Sequence, residues 1–434
     1  MESPGLADGR SCPLSEWRIR FTPLANDFFE GGDWGLRAAD LRWTADLNCG
    51  DRGSISTSCA RGFWTKVVVL QQAECSSRAR EKRDIHVAQS SDKWLSILIP
   101  VYNVLPYLRE CVVPIINQID GDGVEIILLD DASTDGSFQL CEEICREYDG
   151  RIGLLRHPEN RGLSAARNTM VEAATGEYVW FVDSDDEIFP GAIKSLRGIL
   201  DNCSPDIVMC DYRKMGKDYA SFSGKSGVFQ DDREILVRGI FESRRMHTWS
   251  KISRRELWSD DLRFPIGRCF EDAATTPWLF LKASSFYYAA EPWVVYRVRS
   301  DSITGIVSRT RGKFDDKKND DLAFALMGFS KSLTNKISNI DDDTLYAVSN
   351  FCGKEFTKIS YRLLSARLFR DDWNIISSKI ARYRDMMDDC SPMTFSCLTR
   401  EHLRRRNVGR WVILKLCLFA AASRTLRGRS ENRT

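Results

Sequence analysis

Residues 176–186 read GEYVWFVDSDD, and the reading of this stretch decides the fold. Tyr178 to Val182 is a short apolar run rich in aromatic and β-branched residues, the pattern of a strand buried on both faces. Three carboxylates, Asp183, Asp185 and Asp186, follow where that strand must leave its sheet. Ligands of open α/β sheets bind at the carboxyl ends of strands, so these acids are placed to hold a hard divalent cation against a diphosphate. Asp183-Ser184-Asp185-Asp186 also suits a solvated turn, because Asp and Ser side chains readily bond their own backbone. The neighbouring segments must decide between the two.

Upstream, Leu95 to Val101 (LSILIPV) is a first strand, and Pro106 to Gln118 carries apolar residues at Leu108, Cys111, Val112, Ile115 and Ile116, a helical spacing. Val124 to Leu129 is a second strand ending on Asp130-Asp131. Ser133 to Gly136 offers caps for a helix to about Tyr148, Ile152 to Leu155 is a third strand, and Leu163 to Ala174 is a helix leading to the strand at Tyr178. This alternation predicts an α/β fold with a mostly parallel central sheet flanked by helices. After Pro190 a helix to about Asn202 and a strand from Asp206 to Tyr212 lead into a mixed region, and past Arg309 the pattern turns helical and charged. The expected organisation is an N-terminal extension at 1–92, poorly ordered and of different composition, then a domain at 93–310 and a helical C-terminal region at 311–434. The middle domain divides into a nucleotide-binding half, 93–190, and an acceptor half, 191–310.

The chain has 434 residues, with 62 basic and 61 acidic side chains and a net charge of +1, so nothing global points to nucleic acid. Its 14 cysteines form no Cys-x-x-Cys pair and no cluster with histidine, which weighs against a zinc site. No charged, apolar and cleavable pattern opens the chain, and a cytoplasmic setting with reduced thiols is expected. The longest apolar run, Trp411 to Ser423, is interrupted by Lys415 and is too short to cross a bilayer.

Three strand ends carry polar residues able to meet around one ligand: Pro100-Val101-Tyr102-Asn103, Asp130-Asp131 and Asp183 to Asp186. One acidic end can bond a base or ribose while another serves the phosphates, and Tyr102 can stack on a base. Neither a Gly-x-Gly-x-x-Gly nor a Walker loop is present, which removes the usual phosphate cradles of dinucleotide redox and NTP-hydrolysing enzymes.

In this order the stretches SILIPVYN (96–103), EIILLDDASTDGS (125–137), ENRGLSAARN (159–168) and GEYVWFVDSDD (176–186) resemble the family 2 glycosyltransferases, inverting enzymes of the nucleotide-diphospho-sugar transferase (GT-A) fold. MHTWSKISRREL (246–257), LRFPIGRCFED (262–272) and YRVRSDSIT (296–304) resemble the acceptor side of bacterial capsule and lipopolysaccharide members. The resemblance implies that Pro100 and Tyr102 border the donor nucleoside, that Asp131 contacts the base, and that Arg167 and Asp183 lie near the nucleotide. It also implies Asp183 and Asp185 as the Asp-x-Asp pair, with Asp185 the direct ligand of Mn²⁺ or Mg²⁺, and Asp272 as the general base. Glu271, Trp249 and Lys251 then fall on the acceptor side. Two departures stand out: Ala132 where glycine is commoner after the paired aspartates, and Met170 where glycine is usual.

The chemistry agrees with that pattern. Breaking the bond from an anomeric carbon to a diphosphate builds negative charge on the leaving group, which a divalent cation neutralises. One carboxylate on the opposite face suffices to deprotonate an acceptor hydroxyl, and a single displacement inverts the anomeric centre. Plainer readings stand beside these. Glu271-Asp272 suits a helix N-terminus electrostatically, and Arg161 and Arg167 suit a helix surface. An isolated His247 is more often structural, and Trp249 and Lys251 fit packing as well as a cleft.

In the tail, Arg404-Arg405-Arg406 precedes the apolar run from Trp411, and Arg424, Arg427 and Arg429 follow it. The layout suits either peripheral contact with an anionic membrane surface or an amphipathic helix packed on the protein. Arg410-Trp411 is preceded by Asn407, so the Gln-x-x-Arg-Trp motif of processive members is absent and addition of a single sugar is expected. The function this implies is transfer from a nucleoside-diphosphate sugar, UDP-linked, to a glycan or lipid-linked acceptor of a surface polysaccharide. The rivals are a sugar nucleotidyltransferase, whose Gly-rich phosphate loop is replaced here by PVYNVLPYL, and a nucleotide-sugar-binding subunit without turnover.

Overall fold

Seven residues, LSILIPV, form strand β1 (Leu95–Val101), every one of them buried. The computed structural model describes residues 93–428 apart from 122, 149, 260, 300–313, 369 and 370, and side chains as far as residue 423. The expected N-terminal extension, 1–92, lies outside the described residues.

After β1 come α1 (Leu105–Ile116), β2 (Val124–Asp130), α2 (Ser137–Glu147), β3 (Ile152–Arg156), α3 (Leu163–Ala173) and β4 (Tyr178–Phe181). The residues of α1 expected to face inward, Leu108, Cys111, Val112, Ile115 and Ile116, are the ones it buries. Gly136 is the N-cap of α2, and Asp135 just before it accepts through Oδ1 from the Ser137 amide and hydroxyl and through Oδ2 from the Leu105 amide, tying α2 to the start of α1.

The chain continues through β5 (Glu187–Ile188), α4 (Ala192–Cys203), β6 (Ile207–Lys214), β7 (Lys217–Tyr219), β8 (Phe229–Gln230), α5 (Arg233–Ser243), β9 (Lys251–Arg254), α6 (Glu271–Lys282) and β10 (Phe286–Tyr296). The strands join in the order β3-β2-β1-β4-β9-β6-β10-β5, with β7 beside β6 and β8 beside β10. Pairs β1–β2, β1–β4, β2–β3 and β6–β10 are parallel, and β9 runs antiparallel to both β4 and β6. One sheet therefore runs through both expected halves of the middle domain. The reversed β9 sits between them and sends the residues just before it to the strand ends that carry the acids.

At the opposite end of the strands a buried carboxylate fastens three segments. Glu125 on β2 accepts from the Ser96 hydroxyl on β1, from the Thr175 and Gly176 amides just before β4, and from the Lys93 ammonium. A Cβ on Gly176 would stand 2.6 Å from the Ser96 amide nitrogen, so only glycine permits this approach.

The C-terminal region is helical, as expected: α7 (Asp316–Phe324), α8 (Phe329–Lys336), α9 (Asp342–Arg367), α10 (Trp373–Asp389), α11 (Phe395–Arg404) and α12 (Val408–Gly428). Asp315, Asp341, Asp372 and Thr394 cap α7, α9, α10 and α11 with their side chains. The helices share one apolar core with the acceptor half, where the Phe241 ring on α5 lies 5.3 Å from Phe329 and 5.4 Å from Phe351. All described cysteines are free thiols.

Replacing Gly176 by alanine should lower the thermal midpoint by several degrees, since the added methyl meets backbone that cannot yield. Gly198→Ala, in an exposed turn of α4 with nothing within 4 Å of the new Cβ, should leave it unchanged or raise it slightly. Thermal melts of the two variants check the contrast.

Candidate active site

The loops after β1 and β2 are stitched together. The Asn103 amide donates to Ser133 Oγ at 3.1 Å, and Asn103 Oδ1 accepts from the Thr134 amide at 2.8 Å. Ala132 has φ of 59°, in the left-handed region, which explains why glycine is common at its position. Pro100 is the penultimate residue of β1 and is buried, whereas the Tyr102 ring just beyond it is 46% exposed and available for stacking. Asp131 is only 3% exposed. Its Oδ1 accepts from the Arg161 amide and lies 2.6 Å from His157 Nδ1, and its Oδ2 accepts from the Gly162 amide. Asp131 thus has a structural task the resemblance did not imply, that of fastening the loop that leads into α3.

Arg167, on α3, is 1% exposed and joins the two acidic segments. Its Nη2 donates to Asp183 Oδ1 at 3.1 Å, and its Nη1 donates to Glu271 Oε1 at 3.1 Å and to Asp272 Oδ1 at 2.9 Å. It is therefore no surface charge. Burial alone would lower the basicity of this guanidinium, but Asp272, Asp183 and Glu271 outweigh it and hold the group above the ordinary arginine value. Asp272 Oδ1 also accepts from the Thr248 hydroxyl at 3.0 Å, so two donors fix this carboxylate through one oxygen. Glu271 and Asp272 do open α6, as the plainer reading held, and both also face Arg167.

Asp183, Asp185 and Asp186 each offer an oxygen, and these atoms lie within 4.8 Å of one another. Asp186 is 1% exposed; its Oδ1 accepts from the Arg297 amide at 2.8 Å, and its buried Oδ2 has no hydrogen-bond partner. A hard cation needs this donor set, and the orphaned oxygen is the atom it would satisfy. The residues fit a divalent metal. Burial, reinforced by Asp185 and Asp272 and opposed by Arg167, pushes the Asp183 carboxyl up to about 6. Burial and then Asp183 push Asp186 well above the usual carboxylate range. Cations already lean on the cluster, with Arg299 Nε 2.9 Å from Asp185 Oδ2.

Of the two readings open for Trp249 and Lys251, their burial favours packing. Trp249 is 5% exposed, with His247 stacked on it at 3.8 Å between ring centroids and its carbonyl accepting from Trp180 Nε1. Lys251 is 2% exposed, and its ammonium donates to the Arg245 and His247 carbonyls and to Ser250 Oγ. Three acceptors consume its three donors, so it holds the 245–250 loop in shape rather than lining an acceptor cleft. Burial lowers its pKa to about 7. Sequence reasoning missed Thr248, which stands in the same MHTWSK stretch between residues chosen for size and charge. It also missed Arg297 and Arg299, which were quoted only as part of a longer match.

The family model described as glycosyl transferase family 2 matches residues 96–258. Glycosyltransferase GlyG of Streptococcus pneumoniae is 32% identical over 225 residues, covering 48% of this chain and 72% of that protein. GlyA of the same organism is 32% identical over 233 residues, covering 50% of this chain but 32% of its own length, so the match spans about a third of that longer protein. Among solved structures, S. aureus TarS 1–349 in complex with UDP-GlcNAc is similar in fold, with a TM-score of 0.56 at 17% identity over 74% of this chain and 90% of that one. The chain belongs to the family 2 glycosyltransferases, with a GT-A type fold.

A carboxyl whose folded pKa is about 6 binds more protons than its unfolded counterpart at 3.8, so its contribution to stability falls as pH rises between those values and stays unfavourable at pH 7. Asp183→Asn should therefore raise the melting temperature of the metal-free protein at pH 7 by a few degrees, with the gain gone at pH 4. Melts in EDTA at the two pH values test this, and a lower midpoint at pH 7 would contradict it.

Proposed function

We propose that this chain transfers one sugar, with inversion and with the help of a divalent cation, from a nucleoside diphosphate donor to a hydroxyl of a surface glycan or its lipid-linked precursor. The observation that carries the reading is the Arg167 bridge. One guanidinium bonds both Asp183, of the Asp-x-Asp pair, and Asp272, the candidate base, which supports a displacement with donor and acceptor chemistry side by side.

Asp183, Asp185 and Asp186 would hold Mn²⁺ or Mg²⁺, which when bound neutralises the diphosphate leaving group. Tyr102 stacks on the nucleobase, which the family resemblance suggests is uracil, and Pro100 closes one side of that pocket. Asp272, held through Oδ1 by Arg167 and Thr248, takes the acceptor hydroxyl proton on Oδ2. The hydroxyl oxygen forms its bond to the anomeric carbon as the bond to the diphosphate breaks, and the electron pair leaves with the nucleoside diphosphate. Work on a lipid-linked glycan would place the enzyme at the cytoplasmic face of a membrane. A binding subunit without turnover would have no use for a carboxylate oriented by two donors, which counts against that rival.

Asp272→Asn should reduce transfer by about 10²–10⁴-fold while changing nucleotide affinity less than about twofold. Asp185→Ala should instead abolish the gain in nucleotide affinity that Mn²⁺ provides. Product analysis and calorimetry separate the two effects. Full activity in the first variant, or unchanged metal-dependent binding in the second, would contradict the corresponding assignment.

A further inference from the structure

Helix α12 packs on the protein with one side only. Leu414, Cys417, Ala420 and Ala421 are buried, and the helix runs beside α9, where Arg410 Nη1 lies 3.4 Å from Asn350 Oδ1 and the Leu414 side chain 3.9 Å from where a Cβ on Gly353 would stand. The other side carries Val408, Val412, Ile413, Leu416 and Phe419, between 39% and 66% exposed. Val412, Leu416 and Phe419 follow one another at helical i, i+4, i+7 spacing, a single strip. A helix docked on a globular protein ordinarily turns polar residues outward, and a strip of large apolar side chains left uncovered marks a surface that meets something else.

The charge around the strip says what that is. From His402 to Ser430 the sequence holds Arg404, Arg405, Arg406, Arg410, Lys415, Arg424, Arg427 and Arg429 and no acidic residue, although the whole chain carries a net charge of only +1. Arg406 and Lys415 are exposed, and neither is in an ion pair with a carboxylate among the described residues. None of the described helices is long and apolar enough to cross a membrane. We infer that α12 lies flat on an anionic lipid bilayer, with Val412, Ile413, Leu416 and Phe419 in the interface and Arg406 and Lys415 on the headgroup phosphates. Apolar contact and charge act together at such a surface, and the long basic side chains can keep their heads at the phosphates while their stems follow the apolar strip. Both sides of α12 are then used, the small-residue side by the protein and the bulky side by lipid. The inference does not depend on the donor or the base.

Co-sedimentation of the full chain with large unilamellar vesicles tests it, using phosphatidylcholine alone and phosphatidylcholine with phosphatidylglycerol. Binding to the anionic vesicles should exceed binding to the neutral ones by at least about tenfold and weaken with added salt. Leu416→Glu with Phe419→Glu should lose about tenfold or more, while the melt and the nucleotide titration stay as in the parent chain. Should that pair melt early, the single exchange Leu416→Gln, at the strip's most exposed aliphatic position, must still weaken vesicle binding severalfold. Equal binding to both vesicle types, or undiminished binding by the variants, would overturn the inference. So would a dimer in light scattering that the double exchange converts to monomer without any vesicle binding, since the strip would then be covered by a second copy.

Discussion

The buried guanidinium of Arg167 is the constraint on which the site depends. It bonds Asp183 at the end of β4 and Glu271 and Asp272 at the start of α6, residues about 90 apart in the chain. Removing a charge from water costs several kcal/mol, and only this ring of carboxylates makes the position tenable. Arg167 and Arg299, against the five acids Asp183, Asp185, Asp186, Glu271 and Asp272, leave acids in excess. Burial first, and then the neighbouring carboxylates, raise Asp183 and Asp186, the condition under which a bound cation would be favoured.

The sheet makes the meeting possible. Glu125 locks β1, β2 and the entry to β4 at one end, which fixes the register of the strands whose other ends carry Tyr102, Asp131 and Asp183. The reversed strand β9 then begins beside those ends, so the Thr248 hydroxyl just before it reaches Asp272 on α6. A rigid polar lock at the far end and a charged node at the near end divide the work of folding and of chemistry.

Much of this was legible in the chain. The strands of the first half are continuous apolar runs, and β1 to β4 appear within a residue or two of where they were expected. Asp183, Arg167 and Asp272 were nameable because they stand in motifs, but their mutual contact was not, since it depends on tertiary closure across the sheet. β9 was hidden because KISR is four residues long and opens with a lysine, whose burial makes sense only once the carbonyls of Arg245 and His247 are seen curling onto it. β10 was blurred by Glu291-Pro292, where the strand is irregular against β6. Trp249 and Lys251 stayed open between a cleft and packing for the same reason: bulk and charge suit either, and only their burial favours the interior. The basic and apolar tail left two readings open, and α12 packs one side on the protein while its other side stays uncovered.

The central claim is that the strand-end acids form a metal-dependent nucleotide site. Calorimetric titration of the folded protein with UDP and with GDP, first with Mn²⁺ and then with EDTA, tests it most directly. UDP should bind well when the cation is present, and this binding should collapse when it is chelated. Binding of neither nucleotide, or binding that EDTA leaves unchanged, would contradict it.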